Sequence, residues 1–205
     1  MATDRVEAFS DGVLAIAITL LILDVHADAE HGHLGRAILD AWPSYLAYLL
    51  SFVVIGVMWV NHHVLFTRVA GVDRGLLLVN LALLAVISFL PFPTRELAAH
   101  VQDSGSDASA VTVLYTVNCL AIAAGFFVLW EYLRRHPQLL EPGTNADSIA
   151  RLQRRSIVGP IGYLATIPVA FIAPQACLVI YAALATYFAK GISTTEIVAS
   201  PESTD

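Results

Sequence analysis

Arg5-Val6-Glu7-Ala8-Phe9-Ser10-Asp11-Gly12-Val13-Leu14-Ala15-Ile16-Ala17-Ile18-Thr19-Leu20-Leu21-Ile22-Leu23-Asp24-Val25 carries a charged and hydroxylated entry straight into an apolar helix. That pattern sets ionisable groups at or inside the edge of a membrane, where polar groups are costly and tend to have a task. Only 12 uncharged residues separate Asp11 from Asp24, about 18 Å of helix against a hydrocarbon core of about 30 Å. At least one of the two carboxylates is therefore expected within the bundle, and Asp11, preceded by Phe9, is the better candidate. Asp4 and Glu7 beside Arg5 deny the segment a positive signal-peptide head, and no small-residue cleavage site follows Leu23, so it reads as a permanent span.

Composition agrees. Of 205 residues 57% are hydrophobic and 14% charged, whereas a soluble domain holds about 45–50% apolar residues. An all-α, polytopic membrane protein follows. The net charge of −6 leaves no basic footprint for nucleic acid. Cys119 and Cys177 lie inside apolar runs and are expected to pack as small hydrophobes without a bridge.

Charge-free stretches locate the spans. Residues 156–189 form 34 positions without a charge, about 51 Å as one helix, so they fit better as two helices broken near Ala173-Pro174-Gln175. Six transmembrane helices are expected, near 7–25, 42–66, 75–93, 109–133, 155–173 and 175–190. With both termini cytoplasmic, nine Lys and Arg lie inside and two, Arg36 and Arg95, outside. The outer loops, 26–41 and 94–108, are then acidic, and the 136–155 connection is the internal loop long enough to meet lipid headgroups. One transmembrane domain over 1–195 and a disordered cytoplasmic tail over 196–205 complete the layout.

The first helix has two distinct faces. At 100° per residue from Ile16, Thr19 falls at about 300°, Leu20 at about 40° and Leu23 at about 340°, one stripe, while Asp11 falls at about 220°. The stripe is either ordinary helix packing or a surface that meets something central, and Asp11 points away from it. Asp11 needs a partner. Arg5 is too far along the helix, so the partner belongs on another span, and Trp59-Val60-Asn61-His62-His63 ends the second span at the same membrane face. Trp59 and His62 can join a polar network with Ser10 and Asp11, or Trp59 can anchor at the interface and His62 make a structural hydrogen bond.

Enzyme and metal chemistry find no support. His31-x-His33 and His62-His63 lie on opposite sides of the membrane in this topology, about 30 Å apart, too far to share a metal. No His-Glu-x-x-His, Gly-x-Ser-x-Gly or phosphate-cradling glycine loop occurs. No catalytic residue, metal site or cofactor is expected. Asn80 and Asn118 read as interhelical hydrogen-bonding residues, and Gly159, Gly162, Pro160 and Pro168 as devices for close approach and kinking.

Arg5 followed by Phe9-Ser10-Asp11, within Arg5 to Leu21, resembles the opening helix of bacterial relatives of the endolysosomal potassium channel, the transmembrane protein 175 family. Trp59-Val60-Asn61-His62-His63-Val64-Leu65-Phe66 is similar to the family's second span. The resemblance implies a cation channel without the re-entrant filter of ordinary potassium channels, a homotetramer around one pore lined by the first helix, in the cell membrane of a bacterium. It implies a hydrophobic constriction at Ile16, with Leu20 and Leu23 further along and Thr19 between, the same four residues as the stripe. Arg5, Phe9, Ser10, Asp11, Trp59 and His62 would hold the pore helix against its bundle. Potassium ions would be the permeating species, with no cofactor, and membrane lipids the other partners. The rival is a proton-coupled secondary transporter using Asp11 and His62.

Overall fold

The computed structural model describes residues 3–25, 33–100, 103 and 105–196, and among them it is helical apart from loops and one bridge between Val69 and Leu140. Helix α1 spans Thr3–Leu20 and tightens into a 3₁₀ turn over Leu21–Asp24; α2 is Leu34–Asp40 and α3 Trp42–Phe66. Then come α4 (Arg74–Ser88), α5 (Pro91–His100), α6 (Ser106–Arg135), α7 (Ala146–Ser156), α8 (Val158–Ile172) and α9 (Pro174–Glu196). Among the described residues five helices or helix pairs are long and apolar enough to cross a membrane: Thr3–Asp24, Trp42–Phe66, Arg74–His100, Ser106–Arg135 and Ala146–Ile172. Large apolar side chains face outward along them, Ile172 at 85% exposure and Phe171 at 67%, as lipid-facing surfaces require.

Local chemistry sets the ends. Asp73 caps α4 by accepting the Leu76 N–H at 2.8 Å, and Asn145 caps α7 by accepting from the Asp147 N–H at 2.8 Å. Gly105 precedes α6 at φ 86°, a conformation that glycine reaches without a Cβ penalty. Ala173, at φ −148° and ψ 74°, separates α8 from α9 at the expected break. The two helices then run antiparallel: a Cβ at Gly159 would lie 3.3 Å from Phe188, one at Gly162 2.8 Å from Leu184, and the Cys177 thiol lies 3.9 Å from the Thr166 carbonyl. The glycines thus permit the close approach read from the sequence.

Three boundaries differ from expectation. The third span does not stop near residue 93: after a turn at Phe89 and Leu90 the chain resumes as α5, because Pro91 enters as its first residue, where a missing N–H costs nothing. The outer loop read over 94–108 is thus helical to His100, and the loop read over 26–41 contains α2. The 136–155 connection likewise holds a 3₁₀ turn, Pro137–Leu139, and α7. The tail read over 196–205 lies, beyond Glu196, outside the described residues, as does His31.

Helix α6 is the hub, packing against α4, α5, α7, α8 and α9, while α1 rests on α3 and α4. Buried polar groups inside the bundle find partners, with Asn118 Oδ1 the exception among the described residues. Ser51 meets Thr94 at 2.9 Å and Tyr115 at 3.1 Å, and Thr116 meets Tyr181 at 2.5 Å. Asn118 donates to the Val86 carbonyl at 3.1 Å, tying α6 to α4. Cys119 and Cys177 are free and buried.

Candidate functional site

Helix α1 divides lengthwise. Val6, Ser10, Leu14, Ala17 and Leu21 are buried against the bundle at helical spacing. The opposite side is uncovered: Ile16 is 62% exposed, Leu20 40% and Leu23 73%, and Thr19 is exposed between them. The Thr19 hydroxyl donates to the Ile16 carbonyl at 2.9 Å. Its proton is thereby engaged and its oxygen lone pairs are left outward. Phe9 is exposed on the same helix, and so is Arg5, which makes no hydrogen bond or ion pair among the described residues.

The polar groups expected to form one network form two. On the edge between α1 and α3, Trp59 Nε1 donates to Asp11 Oδ1 at 2.9 Å. In the interior, His62 Nε2 lies 2.9 Å from Asn80 Oδ1, Asn80 Nδ2 donates to Ser10 Oγ at 3.0 Å, and Ser10 donates to the Val6 carbonyl at 2.8 Å. An amide oxygen can only accept, so Nε2 carries the imidazole proton and the chain of donation runs from His62 through Asn80 to Ser10. Three helices, α3, α4 and α1, are joined by this string, and every member is buried. Asp11 is not enclosed by its own chain, contrary to expectation; it is exposed, because α1 turns Ser10 inward and its neighbour out.

The pairing of Glu7 with His63 is not among the sequence expectations. His63 Nδ1 lies 3.7 Å from Glu7 Oε1, and the His63 ring stacks on Trp59 at 6.3 Å between centroids. Asn80 is the interhelical hydrogen-bonding residue that the sequence suggests, and its partners are His62 and Ser10. Among the described residues no three His, Cys, Asp or Glu side chains gather to hold a metal.

The connection from α3 to α4 is tied down too. Asp73 accepts from the Tyr132 hydroxyl through both oxygens, at 2.8 and 3.0 Å, and a Cβ on Gly75 would overlap that hydroxyl. The Leu76 N–H, and then the Tyr132 hydroxyl, hold the Asp73 carboxyl below its ordinary value of 3.8.

A helical bundle with helices this long and apolar is a membrane-spanning protein, and its first helix is anchored on one side and bare on the other. Comparison with known proteins gives its kind. A family described as the endosomal/lysosomal potassium channel TMEM175 matches residues 5–91. A potassium channel of Streptomyces collinus is 42% identical over 186 residues, 90% of each chain. One of Chamaesiphon minutus is 39% identical over 191 residues, 91% of this chain and 93% of the relative. The crystal structure of a lysosomal potassium-selective channel TMEM175 homolog from Chamaesiphon minutus superposes with a TM-score of 0.81 at 37% identity, covering 93% of this chain and 97% of that one. The human relative, named an endosomal/lysosomal proton channel, is 36% identical over 152 residues, 69% of this chain and 30% of its own length. The chain belongs to the TMEM175 family, a family of channels and not of enzymes.

Proposed function

We propose that this chain is a potassium-preferring cation channel in which four copies surround one pore, α1 lines it, and Ile16 forms a hydrophobic constriction with Thr19, Leu20 and Leu23 further along. The observation that carries the reading is the bare stripe: a helix packed on one side leaves Ile16, Leu20 and Leu23 without cover from its own chain. The potassium-channel relatives that match 90% or more of this chain support the choice of ion. In this reading α9 is a sixth span, both termini are cytoplasmic, and the membrane is a bacterial inner membrane.

A fourfold ring of isoleucine side chains is a poor host for water and ions, so the neck closes by dewetting and opens when the side chains retreat or rotate. Potassium is favoured because the larger ion costs less to dehydrate, and the outward lone pairs of Thr19 offer oxygen where water is lost. Ser10, Asp11, Trp59 and His62 serve the helix and not the ion, and the same role for Arg5 and Phe9, both exposed on α1, rests on the family's motif alone. The bonds from Trp59 to Asp11 and from His62 through Asn80 to Ser10 brace α1 on the side away from the stripe.

A proton relay through Asp11 and His62 is the second reading, favoured by the naming of the vertebrate relatives as proton channels. Its weakness is geometric: Asp11 is bonded to Trp59, and His62 to Asn80, and among the described residues no hydrogen bond joins the two strings.

Liposome flux decides. Purified protein should pass potassium faster than sodium, and Ile16→Asn should wet the neck and raise the flux or change the ion preference. Unchanged flux in well-folded Ile16→Asn would remove Ile16 from the pore, and proton flux without potassium flux would move the relay to the front.

A further inference from the structure

Helices α7 and α8 behave as one rod. Ile157 between them keeps helical dihedrals, φ −62° and ψ −28°, and the Ile161 N–H returns to its carbonyl at 3.2 Å, so the phase of the side chains carries across the joint. At 100° per residue from the buried Ile149, the buried Ser156, Gly159, Tyr163, Thr166 and Ala170 fall between about 260° and 340°. Arg151, Arg154, Val158, Ile161 and Ile172 fall between about 120° and 200°, and all five are exposed. One uncovered stripe therefore runs the length of both helices, on the side away from the bundle.

The stripe changes chemistry along its length. Two cations stand in its α7 part, and the exposed side chains of its α8 part are apolar. From Arg154 to Ile172 the helix rises about 27 Å, close to the hydrocarbon thickness of about 30 Å. With α8 in the hydrocarbon, the two guanidinium groups meet the phosphate level while Val158 and Ile161 lie in the adjoining leaflet. These cations also lack a counter-ion from the protein. At the end of α6, which packs on α7, Arg134 and Arg135 both bond Glu131 at 2.7 Å. Arg155 is turned to α9, where it donates to the Tyr187 carbonyl at 2.9 Å and stands 5.1 Å above that ring. Arg151 and Arg154 make no hydrogen bond or ion pair among the described residues, and the carboxylate on their face, Asp147 one turn before Arg151, is bonded to neither.

We propose that this stripe binds one anionic phospholipid of the leaflet beside α7, its phosphate between Arg151 and Arg154 and an acyl chain along Val158 and Ile161. The two parts of the ligand follow from one continuous face: the arginines take the charge, and the apolar residues one and two turns further take the hydrocarbon. A zwitterionic headgroup carries its own cation to the same place and gains less, so charge selects the lipid. The site is separate from conduction, since none of these residues belongs to the α1 stripe.

A tryptophan on the stripe reports the neighbouring lipid. Full-length Ile161→Trp, at a position 61% exposed, would be placed in phosphatidylcholine bilayers containing brominated phosphatidylglycerol or, for reference, brominated phosphatidylcholine with the same chains. The emission that Ile161→Trp adds to the parent should be quenched at a lower mole fraction of the anionic lipid, by about fivefold for each contributing arginine. Adding Arg151→Gln with Arg154→Gln should bring the two quenching curves together. Ile172→Trp, at the far end of the same stripe, should show no headgroup preference. Equal quenching by the two lipids in Ile161→Trp would overturn the site, as would a preference that survives the double substitution or recurs at full size in Ile172→Trp. The chain without an added tryptophan gives an independent reading. Its unfolding midpoint in neutral detergent should rise further with phosphatidylglycerol than with phosphatidylcholine, and a difference that Arg151→Gln with Arg154→Gln leaves unchanged would equally reject the arginine pair.

Discussion

Trp59 donates its indole N–H to Asp11 across 2.9 Å, and one turn along both helices His63 stands 3.7 Å from Glu7. Asp11 and Glu7 are four apart on α1, Trp59 and His63 four apart on α3, and the pairs match in reverse order, the signature of antiparallel helices locked in register. A slip by one residue would turn each partner about 100° away. The ladder therefore fixes the rotation of α1 and, with it, the direction of the Ile16 stripe.

Trp59→Phe keeps an aromatic ring to stack on His63 and removes the donor to Asp11. The expected cost is about 1 kcal/mol, the usual net worth of one hydrogen bond. Thermal unfolding in detergent measures it, and Asp11→Ala should cost a similar amount, with the double variant costing less than the sum. Ion preference should not change in either. Altered selectivity with unaltered unfolding in Asp11→Ala would put that carboxylate in the conduction path.

Asn80→Leu should be more damaging than Asn118→Leu. The first strips His62 Nε2 of its acceptor in a buried site and removes the donor to Ser10, at about 1–3 kcal/mol for the stranded N–H alone. Asn118 makes one bond, to the Val86 carbonyl, and its own Oδ1 has no partner. Its replacement by leucine removes an unsatisfied atom along with the bond, so the loss should stay below about 1 kcal/mol. Comparing the yields and unfolding midpoints of the two variants checks the ranking.

How far these relationships were legible depends on how local they are. The Ile16–Thr19–Leu20–Leu23 stripe follows from helical periodicity within one segment and could be read directly, whereas which of Ser10 and Asp11 turns inward depends on how α1 rests on its neighbours. Trp59 and His62, three apart, read as one polar group, but at 100° per residue Trp59 aligns more nearly with His63, about 40° away, than with His62, about 60° away on the other side. His62 thus turns to α4 and His63 to α1. Four-residue spacing on both helices was the available signal for the Glu7–His63 pair. The Asn80 bridge had none, since it depends on the register of a third helix. Helix α2 and the part of α5 beyond residue 93 read as loops because charges end the apolar runs there, whereas the chain stays helical through Arg95 and Glu96, and Pro91 sits in the one helical position that tolerates it.

Asp73 gives the protein an acid-sensitive tie. Its carboxyl is held below 3.8, first by the Leu76 N–H, so the ionised form is favoured in the folded chain. A depressed carboxyl contributes its full stability above the ordinary value and loses it as pH falls through the lowered one. Unfolding midpoints should therefore decline on acidification below about pH 4. Asp73→Asn keeps an acceptor for Leu76 and Tyr132 but does not titrate, and its decline over that range should be shallower. Parallel slopes for the two proteins would show that the carboxylate is not the group responsible.

Thr19→Val separates the shape of the proposed neck from its chemistry. Valine has nearly the volume of threonine, so the width of the stripe and the packing of Leu14, Ala17 and Leu21 behind it are retained. What disappears is the hydroxyl, which donates to the Ile16 carbonyl and turns its lone pairs outward. If those lone pairs replace part of the water that an ion sheds beside Ile16, their loss raises the cost of passage for both ions, and it narrows the gap between them. Reversal potentials with potassium on one side of the bilayer and sodium on the other should shift toward zero in Thr19→Val, while the unfolding midpoint stays within about 0.5 kcal/mol of the parent, as for an exposed site. A preserved reversal potential with reduced current would assign selection to dehydration at the Ile16 ring alone.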